Sequence, residues 1–322
     1  MKKLKRLLID VLIMCLLFSG GYVYSYKKIN HKWPSLSVIQ KELRDTTKTL
    51  KGAFSSRKHV YKKETTSKTD SKYKSQAEML KTLRHDLVQR EKKIVLYIQS
   101  KKKLSGTLAS DLYHQSQAYT GVANEGDYLH FHIKKVNMVT YLTIKDSQYY
   151  YKVNYTVDYR TSLKQENEVT KQVKAIASKV QGKTTVEKIR DLNDYVTAHV
   201  TYGHTDDDQS YSAYGALVNK EAVCEGYTLL FNRLLMEAGV ENRVITGTAI
   251  TRGEKESHAW NIIKVGNVYY DHDVTWNDSS LPNLYYLRGD DTFKNNHFAD
   301  KEYTTATFVK TYPLSPTNYQ NP

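Results

Sequence analysis

Two cysteines in 322 residues are too few for a disulfide scaffold, and a chain of this length can bury a hydrophobic core without one. Cys15 lies in an apolar stretch near the start, so Cys224 is left without an intramolecular partner. No internal repeat is visible, and no close-spaced pair of Cys or His ligands offers a zinc site. Asp206, Asp207 and Asp208 form an acidic triplet, but the alternate oxygen ligands and the glycine of a calcium loop are missing, so a solvated loop is expected. No metal and no cofactor is expected.

Excess basic charge is missing from most of the chain, although the whole carries a formal +14 and a pI near 9.3. Residues 1–26 hold +3 and residues 27–75 hold +10, which leaves +1 for residues 76–322. Nothing in that neutral remainder resembles a nucleic-acid-binding fold, and no nucleic acid is expected as a partner. Lys2, Lys3, Lys5 and Arg6 precede an apolar run from Leu7 to Tyr26, about the twenty residues that cross a bilayer. Because bulky Tyr22, Val23 and Tyr24 follow Ser19-Gly20-Gly21, the run is expected to be an uncleaved signal anchor rather than a removed signal peptide. The expected placement is a single-pass membrane protein with an extracellular C-terminal part, or a secreted one if the segment is cleaved. Residues 27–75 have the composition of a solvated linker, either a spacer or an adhesive for anionic cell-wall polymers or lipid headgroups.

From Ser75 the pattern is that of folded protein. Met79, Leu80, Leu83 and Leu87 have helical spacing behind Ser75 as N-cap, and "KIVLYIQS" reads as a strand. "SGTLASDLYHQSQAYTG" reads as a helix; "DYLHFHI", "VTYLTIK" and "YYYKVNYTVDYR" read as strands. Residues 76–160 thus form a small α/β domain without a catalytic constellation, in which His130 and His132 are surface or packing residues. Helices are expected at about 163–180 and 184–200, within a second domain spanning residues 161–322.

"AVCEGYTLLF" opens a further helix. Tyr227, Leu230, Phe231, Leu234, Leu235 and Ala238 follow at spacings of three and four, and Gly239 supplies a left-handed stop. Cys224 therefore falls in the first turn, where unpaired N–H groups and the helix dipole favour a thiolate. Gly226 is expected to leave room for an approaching polypeptide. Downstream, Gly266-Asn267 closes a tight hairpin in "SHAWNIIKVGNVYYDHDVTW". If Val265 pairs with Val268, His258 and Asp273 are diagonal neighbours on one face, with Asp271 as a second candidate acid on that face and His272 pointing away. A thiol at a helix start, an imidazole on a strand and an acid on the next strand are the parts for nucleophilic acyl transfer through a thioester.

At this point "YSAYGALVNKEAVCEGYTLLFNRLLMEAGVENRVITG", "HAWNIIKVGNVYYDHDVTW" and "YYLRGDDTFKNNHF" together resemble the transglutaminase-like superfamily of bacterial secreted and surface proteins, over about residues 185–300. The resemblance implies Cys224 as nucleophile, His258 as base and Asp273, rather than Asp271, as the orienting acid. It also implies an α+β, papain-like core with the cysteine helix packed on an antiparallel sheet, after the small α/β domain and the anchor. Animal transglutaminases place a tryptophan upstream of the cysteine to steady the oxyanion. Here only Trp33 precedes Cys224, in the linker, so Tyr202, Tyr211 and Tyr214 are the candidate substitutes. The expected function is a membrane-anchored extracellular cysteine enzyme acting on protein or peptide substrates at the cell surface. It would attack peptide or glutamine carboxamides and pass the acyl group to water or to an amine. The alternative is a catalytically silent envelope binding or scaffold module of the same fold.

Overall fold

The computed structural model describes residues 73–204, 208–251, 253–278 and 283–320, all within the second of two compact units, residues 61–322. The expected anchor, Cys15, Trp33 and nearly all of the linker lie outside the described residues, as do Asp206 and Asp207. Among the described residues, no helix is long and apolar enough to cross a membrane.

The first layer pairs two helices with a three-stranded antiparallel sheet. Helix α1 (Gln76–Val88) starts where expected, with the Ser75 hydroxyl accepting from Glu78 N–H and the Glu78 carboxylate reaching back to Ser75 N–H in a capping box. Strand β1 (Lys93–Ser100) leads to α2 (Leu108–Ser116), α3 (Gly126–His132), β2 (Ile133–Lys145) and β3 (Gln148–Tyr159), with strand order β1-β3-β2. The alternating burial of β1 places Ile94, Leu96 and Ile98 in a core with Leu83, Leu87, Leu112, Val153 and Val157.

The reading of "DYLHFHI" as a strand is corrected here, because these residues make up most of α3. Tyr128, Leu129 and His132 are buried at helical spacing, and seven residues are too few for the period to be read from sequence. His132 is enclosed and its ring faces Tyr128 O at 2.7 Å, with Glu166 at 3.7 Å; burial pulls its pKa down to about 4. His132 is thus a packing residue, whereas His130 is exposed at the surface with Nδ1 2.8 Å from Gln117 Oε1.

Helices α4 (Leu163–Ala177) and α5 (Thr185–His199) each begin with a capping box, Ser162 with Gln165 and Thr184 with Glu187. Short strands β4 (Thr201–Tyr202) and β5 (Glu221–Ala222) pair in parallel just before α6 (Cys224–Glu237). Every residue of α6 from Gly226 to Leu235 is buried, so the helix is enclosed on all sides and not along one stripe. Each enclosed Leu or Phe contributes about 1.5–3 kcal/mol relative to exposure. Gly239 ends it at φ 78°, the left-handed stop read from the sequence.

The sheet beyond α6 has the order β8-β7-β6-β9, all antiparallel, built from β6 (Asn242–Thr251), β7 (Glu254–Val265), β8 (Val268–His272) and β9 (His297–Ala299). Val265 pairs with Val268 and the ladder continues to Asn261 with His272, so the hairpin has the expected register. One face, with Val244 and Ile263, joins the core around α6; Thr228 donates to Ala259 O at 3.0 Å there. The other face carries Ile245, Trp260 and Ile262 beneath Phe293 and the C-terminal helix α9 (Ala306–Thr311). Between the two layers, Arg243 makes a bidentate bond to Asp127 at 2.7 and 2.8 Å, and the same carboxylate accepts Val244 N–H.

Candidate active site

Cys224 is the first residue of α6, behind Val223 as N-cap, and the first helical bond closes from Tyr227 N–H to Val223 O at 3.1 Å. The N–H groups of Cys224, Glu225 and Gly226 precede that first bond and have no acceptor within the helical ladder. The turn into the helix is fixed by Lys220 in the left-handed region at φ 62° and by Val223 N–H donating to Ser210 O at 3.0 Å. Gly226 has a different part from the one expected. A Cβ there would lie 2.5 Å from Ser210 O and 2.7 Å from Ala222 Cβ, so its missing side chain admits this loop rather than a substrate.

His258 stands on β7, opposite Gly247, and its side chain is 7% exposed. Its ring approaches Trp276 at 5.4 Å and His297 at 5.4 Å between centroids. His258 Nε2–H donates to Asp273 Oδ2 at 2.7 Å, and the Cys224 thiol hydrogen-bonds the same imidazole. Burial alone would lower the His258 pKa, but the Asp273 carboxylate and Cys224 outweigh it, and the imidazolium is favoured well above the ordinary value.

Asp273 is not a strand residue. Strand β8 ends at His272, and Asp273 is the N-cap of a single turn, α7 (Val274–Asn277). Its Oδ1 accepts Thr275 N–H at 3.0 Å and Trp276 N–H at 3.1 Å, while Oδ2 accepts both His258 and, at 3.1 Å, His297 Nε2–H. The side chain is fully buried, yet these donors and the two imidazoles hold the carboxyl well below the usual range despite the burial. Asp271 meets the opposite environment: one oxygen accepts Trp260 Nε1–H at 3.0 Å, the other has no partner, and burial pushes its pKa up to about 8. His272 points to the other side as expected; it is fully enclosed, packed on Phe231 and bonded to Asn193.

The three tyrosines part company. Tyr202 pairs with Ala222, two residues before Cys224, and after burial the nearest influence raising its pKa is Cys224 itself. Tyr211 faces His204 and stacks under Arg160 at 5.0 Å, and Tyr214 packs against the core. Of the three, Tyr202 alone lies on a strand paired with the segment that leads into Cys224. Beside the thiol, Glu225 lies 3.6 Å from Arg160, and burial raises its pKa to about 7.

His297 is the site residue that sequence reasoning missed. It stood in the quoted "NNHF", but its place depends on β9 pairing with β6, where Gly247 has no Cβ to overlap Phe298 O. Among the described residues, His258, Asp273 and His297 are also the one set with three metal-capable atoms within 4.8 Å of one another. Both ring nitrogens of that set, however, point their protons at a single carboxylate oxygen, the arrangement of a hydrogen-bond network.

A cysteine at a helix start, bonded to an imidazole that a buried carboxylate holds, is an arrangement suited to nucleophilic thiol chemistry. Residues 170–276, which contain all three groups, match the model of the transglutaminase-like superfamily, so the chain carries a transglutaminase-like domain on a mixed helix and sheet core. Three solved structures are similar at low identity. A candidate cysteine protease from Cytophaga hutchinsonii is 16% identical over 45% of this chain and 66% of its own, with a TM-score of 0.30. A TGase is 13% identical over 59% and 56%, TM-score 0.30, and the periplasmic domain of TgpA from Pseudomonas aeruginosa is 12% identical over 40% and 54%, TM-score 0.28. The matches therefore leave at least a third of each of those chains uncovered. No curated protein matches the sequence.

Proposed function

We propose that the chain is a cysteine acyl-transfer enzyme in which Cys224 is the nucleophile, His258 the base and Asp273 the orienting acid. The observation that carries this reading is one imidazole held at 2.7 Å by a buried carboxylate and bonded to a thiol at a helix start. His258 takes the Cys224 proton, and the thiolate attacks a carboxamide carbon of a peptide or glutamine. The Cys224 N–H is one donor for the developing oxyanion, with Tyr202 as the candidate second donor. The imidazolium then protonates the leaving amine, giving a thioester, and His258 accepts a proton from water or a second amine as that acceptor releases the acyl group. The substrates are proteins or peptides at a cell surface, reached from a membrane anchor at residues 1–26, with residues 27–75 adhering to anionic polymers or lipid headgroups.

The test is iodoacetamide alkylation of Cys224 across pH, together with a mass-spectrometric search for hydrolysed and amine-linked products from a glutamine-bearing protein. Alkylation faster than a cysteine peptide, lost in His258→Ala, supports the reading. A thiol that behaves as the free peptide does, in folded protein, returns the chain to a silent scaffold.

A further inference from the structure

Asp273 carries a charge in a fully enclosed position and must be held in one orientation to serve His258. Two backbone N–H groups hold Oδ1, and because rotation of the planar carboxylate moves both oxygens, donors on Oδ2 reinforce the same orientation. His258 supplies one of them at 2.7 Å. A second donor reaches the same oxygen from His297.

His297 is itself immobilised. Its backbone pairs with Ala249, its ring stacks on Phe293 at 3.9 Å and 27°, and Trp276 meets it edge-on at 4.6 Å. Nδ1 lies 2.8 Å from the Asn296 amide, and that amide lies 2.8 Å from Tyr285 Oη. The oxygen and nitrogen of an amide exchange places by rotation. With the carbonyl toward the ring, both ring nitrogens carry protons and His297 is a cation. With the NH2 toward the ring, Nδ1 accepts, the single proton sits on Nε2 and Tyr285 O–H donates to Asn296. In the structure Asn296 Oδ1 faces Nδ1 and Asn296 Nδ2 donates to Tyr285 Oη, while burial disfavours the cation and so favours the turned amide with Nδ1 accepting.

We propose that His297 is a positioning residue of this site: an imidazole immobilised by Phe293, Trp276 and Asn296, whose Nε2–H holds Asp273 Oδ2 so that His258 is aimed at Cys224. The proposal rests on the acyl-transfer reading of Cys224 and His258. In the step it supports, the proton passes from Cys224 Sγ to His258, while Asp273 keeps its charge and His297 keeps its proton.

The experiment compares the full wild-type chain with His297→Leu, which removes the donor, and His297→Gln, whose amide N–H restores one. Three quantities are read: the exchange-protected His258 Nε2–H proton resonance, assigned by its loss in His258→Gln; the alkylation rate of Cys224 against pH; and bound zinc. His297→Leu is expected to lose the resonance and to slow alkylation at neutral pH by about ten- to a hundredfold, the usual effect of losing an outer hydrogen-bond partner. His297→Gln should recover both to within a few fold. If His297→Leu does not fold, a folded His297→Gln without the resonance overturns the proposal. Wild-type resonance and rate in His297→Leu overturn it too, as does stoichiometric zinc whose removal accelerates alkylation. A wild-type thiol no faster than a peptide, with the resonance still dependent on His297, upholds the positioning role and removes the acyl-transfer reading.

Discussion

Asp271 and Asp273 lie two residues apart and are both buried, yet Asp273 accepts four hydrogen bonds and Asp271 accepts one. Two backbone donors and two imidazoles make the charged form of Asp273 the stable one. Trp260 alone cannot do the same for Asp271, and its carboxyl is favoured as the neutral acid.

Substitution at the two positions should therefore have opposite consequences. Asp273→Asn loses the anion that sets the His258 tautomer, and the acylation step should fall by about 10^3–10^4-fold, as in other triads. Asp271→Asn keeps an oxygen for Trp260 Nε1–H and should change that step by no more than a few fold. Single-turnover acylation of both folded variants measures this. A larger loss in Asp271→Asn would reassign the acid.

Asp271 should also make stability depend on pH. Its folded pKa of about 8 lies above the ordinary carboxylate value, so the native state binds more protons than the unfolded one between roughly pH 4 and 8. Stability from this group falls as pH rises through that window, by at most about 1.4 kcal/mol per pH unit. Asp271→Asn removes the dependence. Its melting temperature should match the wild type near pH 4 and exceed it increasingly toward pH 8, and parallel curves would show that Asp271 is ionised in the fold.

Gly226 and Gly247 test whether close backbone approach builds the site. Gly226→Ala pushes against Ser210 O, and Gly247→Ala against Phe298 O, each expected to destabilise by about 1–3 kcal/mol. Their functional effects should differ. Gly226→Ala shifts the start of α6 and hence Cys224, whereas Gly247→Ala shifts β9 and hence His297. The His258 N–H resonance should weaken in Gly247→Ala and persist in Gly226→Ala.

Parts of this site were legible because local rules set them. The spacing after Cys224 with Gly239 as stop placed Cys224 on a helix start, and Gly266-Asn267 fixed the ladder that runs from Val265 with Val268 to Asn261 with His272. Asp273 was expected on the strand opposite Trp260, but the ladder ends at Asn261 with His272 and Asp273 becomes the N-cap of the next turn. His297 was not legible: a three-residue strand has no readable period, and its pairing with β6 is set by tertiary packing. The helix at Gly126–His132 was missed for a similar reason, its short run of Tyr, Leu and Phe fitting either period.

The ion pair of His258 and Asp273 sets the last expectation. Raising the His258 pKa and lowering that of Asp273 favours the charged pair over a wide span. The His258 contribution to stability is complete below about pH 6.5 and is lost as pH rises through its higher folded pKa. The Asp273 contribution is complete above about pH 4 and is lost as pH falls through its lower folded pKa. The melting temperature of wild type minus that of His258→Gln should thus be greatest between about pH 4 and 6.5 and shrink on the alkaline side. Alkylation should follow the same sign. Where His258 is an imidazolium it supports the Cys224 thiolate, so the wild-type advantage over His258→Gln is largest at acidic to neutral pH. It should shrink at alkaline pH, as His258 loses its proton. An advantage that instead grows with pH would mean that His258 acts only as a neutral base, without the charged pair described here.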